Sequence, residues 1–68
     1  MSETATAPRD LFERALSAYI AAIEARKRAL VSDMTDSEYD AVVKREARLA
    51  GDYHTAALAL RRHLSLRA

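Results

Sequence analysis

The chain lacks cysteine and tryptophan, and its 68 residues include one glycine, one proline, three tyrosines and one phenylalanine. Without cysteine no disulfide can staple the fold, and with only two histidines a closed zinc site would have to be completed by carboxylates, which structural sites seldom use. A chain this short buries only roughly 60% of the surface its unfolded form exposes. Association with a partner is then the remaining source of stability. The scarcity of glycine and proline argues against a sheet with its many turns and for long helices.

Charge of one sign is also lacking. Eleven basic residues against ten acidic ones leave a formal charge of +1, too weak a field to draw nucleic acid or an anionic membrane without a local patch. The longest uninterrupted apolar run, residues 18–23, falls far short of the run of about 18 needed to span a bilayer, so no membrane partner is expected. Residues 1–7 carry a glutamate and neither a basic start nor an apolar core, which is the composition of a frayed tail and not of a secretion signal. Retention in the cytoplasm is the expectation that follows.

The residues that are present describe two amphipathic helices. Pro8 suits a first helical turn, with Asp10 and Glu13 where the helix dipole favours acids. From there two stripes run side by side at heptad spacing. Phe12, Leu16, Tyr19, Ile23 and Leu30 form the large one, with Ile20 beside it; Leu11, Ala15, Ala18, Ala22, Ala25 and Ala29 form the small one. Arg26 interrupts the large stripe, and Asp10 with Arg14 and Glu24 with Arg28 are spaced as i,i+4 pairs.

Thr35 and Glu38 then fit a capping box and Met34 and Tyr39 its hydrophobic staple, which starts a second helix at Asp36. Gly51 raises the question of a break. Tyr39, Glu46, Tyr53 and Leu60 nevertheless keep a seven-residue step across it, as do Val42, Leu49, Ala56 and His63, and Val43, Ala50, Ala57 and Leu64. A turn would normally reset that phase, so one helix is expected, with Gly51 on its outward face. The expected organisation is a tail over 1–7 and a hairpin over 8–68, with helices 8–32 and 36–66 joined by a turn at 33–35.

The fold expected is all-α: an antiparallel two-helix hairpin that dimerises into a four-helix bundle. A lone hairpin gives each helix one neighbour, yet the first helix is apolar around more than half its circumference. Two stacked hairpins supply a second neighbour, as in the short-loop bundle of Rop, an architectural analogue without sequence kinship. The dimer core expected is Phe12, Leu16, Tyr19, Ile23, Leu30, Val42, Val43, Leu49, Tyr53, Leu60 and Leu64.

Chemistry-bearing patterns are sparse. Neither His54 nor His63 has a glutamate three residues before it, so the Glu-x-x-His signature of helical di-iron centres is absent, and neither metal nor cofactor is expected. Glu46, on a core-facing heptad position and within reach of Arg26, reads as half of a register-fixing ion pair and not as a catalytic acid. A small hairpin dimer also offers little concavity for catalysis, so no enzymatic activity is expected. Lys44, Arg45 and Arg48 are the candidate nucleic-acid contacts. Pairing about a turn near residues 33 and 34 sets Leu60 opposite Ala7, so the end of the second helix overhangs the first. There Leu58, Arg61, Arg62 and Leu66 form a candidate surface for another protein, unless they cap the dimer itself. The leading expectation is a protein-interaction or accessory module acting as a homodimer; the rival is a Rop-like nucleic-acid adaptor.

Overall fold

In the computed structural model, which describes residues 7–67, two helices pack against each other as a hairpin: α1, Pro8–Leu30, and α2, Asp36–Arg67. The tail expected over 1–7 lies, apart from Ala7, outside the described residues. Both helices begin as the sequence chemistry requires. Pro8 occupies the first turn of α1, and extended Ala7 accepts the opening hydrogen bond from the Leu11 N–H at 3.1 Å. At α2 the capping box closes reciprocally. The Thr35 N–H donates to Glu38 Oε1 at 2.8 Å, and the Glu38 N–H donates to Thr35 Oγ1 at 3.1 Å.

The end of α1 differs from expectation, falling at Leu30 and not at residue 32. The Val31 N–H turns to Arg28 O at 3.3 Å and the Ser32 N–H to Ala29 O at 3.2 Å, so the last turn tightens to i→i−3 bonding. The Ser32 hydroxyl donates to the same Ala29 carbonyl at 3.0 Å, a second bond to a terminal acceptor that has no i+4 partner. The connection is therefore 31–35, two residues longer than the sequence suggested, and α2 runs one residue further, to Arg67. No non-glycine residue needs a left-handed backbone to make it.

Gly51 lies inside α2, which passes through it without a break, and a Cβ built there would meet nothing within 4 Å. At 32 residues against 23, α2 extends beyond the start of α1. Its length of about 48 Å at 1.5 Å per residue accounts for the 49 Å long axis of the molecule.

The helix interface is narrow. Among the described residues Ala22 and Ala29 are the buried apolar ones, and no large side chain is fully enclosed. Small residues let the backbones approach closely, and three rings pack together along the seam. Tyr53 lies between Phe12 and Tyr19, at centroid separations of 5.5 and 5.6 Å, the second pair stacked.

Candidate functional site

The candidate surfaces follow from where the heptad positions fall around the seam. At its centre, next to the tyrosines, Arg26 Nε donates to Glu46 Oε1, joining the two residues that interrupt the apolar stripes. Their side chains are 34% and 16% exposed, so the pair sits at the edge of the core and not within it. The hydrogen bond to Glu46, and then its charge, raise the proton affinity of the guanidinium. A raised arginine keeps its contribution below its ordinary value and loses it only in strong alkali, so the arginine side supplies no switch near neutrality.

The remaining ion pairs among the described residues are exposed. Lys44 Nζ meets Asp40 Oδ2 at 2.9 Å, which raises the lysine's proton affinity through that hydrogen bond and the carboxylate's charge. Lys27 meets Glu24 at 3.9 Å. The spaced pairs Asp10–Arg14 and Glu24–Arg28 do not close; Glu24 turns to its i+3 neighbour instead. Solvated pairs differ by only ~0–1 kcal/mol, so spacing alone does not select among them.

The two flanks of the seam have different shapes. One is the alanine side, where Ala18, Ala21, Ala22 and Ala25 face Val42, Arg45 and Leu49 around a depression of about 310 Å³. A second depression of about 350 Å³ continues it, between Leu11 and Ala15 on α1 and Asp52, Ala56 and Ala59 on α2. The other flank carries Leu16, Ile20 and Ile23 from α1 with Val43, Ala50, Ala57 and Leu64 from α2. Of these Ile20 and Leu64 are exposed and the rest half-buried.

The expected dimer core is thus divided by the structure. Phe12, Tyr19, Tyr53 and Leu60 lie along the intramolecular seam, Val42 and Leu49 on the alanine side, and Leu16, Ile23, Val43 and Leu64 on the branched side; Leu30 is exposed at the end of α1. The candidate partner residues come together: Leu58, Arg61, Arg62 and Leu66 line one shallow depression with Ser65. Lys44, Arg45 and Arg48 gather around Ala41, but Asp40 neutralises Lys44 and Arg45 also lines the alanine groove. His54 and His63 are exposed, and no three metal-ligating side chains converge among the described residues.

Asp52, Thr55 and Ala59, the outer wall of the second depression, were not singled out by sequence reasoning. A heptad plot gives each residue an angle but not the depth of the surface there. No described helix is long and apolar enough to cross a membrane. No family model matches the chain, nor does any curated protein or solved structure.

Proposed function

We propose that this chain is a non-catalytic protein-interaction module of the cytoplasm, working as a homodimeric helical hairpin that binds or regulates another protein or serves as a small accessory subunit. One observation carries the reading. Among the described residues no large side chain is fully enclosed, while Leu11, Ile20, Leu30, Val31, Leu64 and Leu66 stand exposed. A 68-residue chain without disulfides has little stability to draw on from two buried alanines and a half-buried seam. A second copy covering part of this exposed apolar surface adds the missing burial, at roughly 25 cal/mol per Å².

Sedimentation equilibrium tests it. The chain is expected at twice its 7.6 kDa mass, and Ile23→Asp, which puts a charge into the apolar flank, is expected to shift it to monomer. A variant that sediments as a fully helical dimer would remove Ile23 from the interface; a monomeric parent chain would remove the homodimer. Retardation of DNA or RNA that falls steeply with added salt would instead favour a nucleic-acid adaptor working through Lys44, Arg45 and Arg48.

A further inference from the structure

We infer that the second copy packs on the branched flank, around Leu16, Ile20, Ile23 and Val43, with the two hairpins pointing in opposite directions so that the turn of each covers the α2 overhang of the other. This rests on the homodimer reading and specifies its geometry.

Shape selects the flank. The alanine side is concave along much of its length, and two such grooves facing each other across a two-fold axis would enclose their combined empty volume. Unfilled space of that kind costs the contacts its lining would otherwise make. The branched side presents side chains that can interdigitate with their own copies. Its area is adequate: a face as long as α1, about 35 Å, and two helix diameters wide, about 20 Å, gives ~700 Å², close to the ~800 Å² per partner of stable interfaces.

The two ends select the direction. The turn end bears Asp33, Asp36 and Glu38 against Arg28 on its surface, while the open end bears Arg9, Arg14, Arg61 and Arg62 against Asp10 and Glu13, so the two ends differ in net charge. The basic residues of α1 near the turn are partly spoken for, since Arg26 is held by Glu46 and Lys27 by Glu24. Large exposed apolar side chains also concentrate at both ends: Leu30, Val31 (86% exposed) and Met34 at the turn, Leu64 and Leu66 (88% exposed) on the overhang. Opposed hairpins bring the net-acidic end of one copy to the net-basic end of the other and set Leu30 and Val31 of the turn against Leu64 of the overhang. Parallel hairpins would set acids beside acids and arginines beside arginines, which is destabilising.

The absence of cysteine makes the test clean, because Ser37→Cys places a single spin label on an exposed site in the first turn of α2. Electron–electron distance measurement is expected to give about 35–40 Å between turns at opposite ends, against about 20 Å for turns side by side. A dimer with the short distance overturns the orientation but leaves the homodimer standing; a monomer by sedimentation overturns both. The flank is checked separately by Ile20→Glu, expected to yield monomer, and Ala25→Glu, expected to stay dimeric. The reverse pattern overturns the choice of flank.

Discussion

Arg26 and Glu46 show what a charged residue does when it occupies a stripe position. Arg26 follows Tyr19 by one heptad and Glu46 stands one heptad from both Tyr39 and Tyr53, and each gives up part of its hydration to meet the other across the seam. Removing one partner strands the other at the core edge. Glu46→Ala is therefore expected to lower the melting temperature by a few degrees, and adding Arg26→Leu to recover most of the loss, since a half-buried pair is more easily replaced than broken. Circular dichroism melts of the four members of the cycle measure this; an unchanged melting temperature in Glu46→Ala would show that the pair contributes nothing. Glu46 was legible in the sequence because its heptad partners are Tyr39, Tyr53 and Leu60, and its reach to Arg26 follows from antiparallel pairing about a short turn. The pairing of Glu24 with Lys27 was not legible, because solvated charges have several near-equal partners.

Helix starts carried strong local signals and helix ends weak ones. Pro8 acts through its fixed φ and missing N–H, and the Thr35 capping box through hydrogen bonds within one turn, so residue identity suffices to place them. The end of α1 has no glycine to mark it, and its stop comes from backbone bonds at Val31 and Ser32 that ordinary residue types accommodate. The glycine that is present marks no boundary. Because Gly51 is helical with open space where a side chain would go, Gly51→Ala is expected to raise stability by about 1 kcal/mol. Chemical denaturation with an unchanged m-value checks it, and a loss of stability would mean that the helix bends there.

For the molecule as a whole, the hairpin topology was readable from periodicity, whereas the contrast between its two flanks was not. Periodicity places Ala18 and Ile20 on different sides of the seam, but only the packed backbones show that one side is hollow. If stability rests on a second copy, melting temperature must depend on concentration. A tenfold rise in protein is worth up to ~1.4 kcal/mol of added stability per dimer, and an upward shift of a few degrees is expected in calorimetry. A melting temperature independent of concentration would mean that the hairpin is stable alone.

The five-residue connection over 31–35 also sets a clock. Closing a loop of about that length takes well under a microsecond, and contacts local in sequence belong to chains that fold in microseconds to milliseconds. Encounter between two chains is slower and scales with their concentration. On the homodimer reading, a newly made chain would open and close its hairpin many times before it met a second, and the time it spends with Ile20 and Val31 exposed would be governed by abundance and not by the speed of closure.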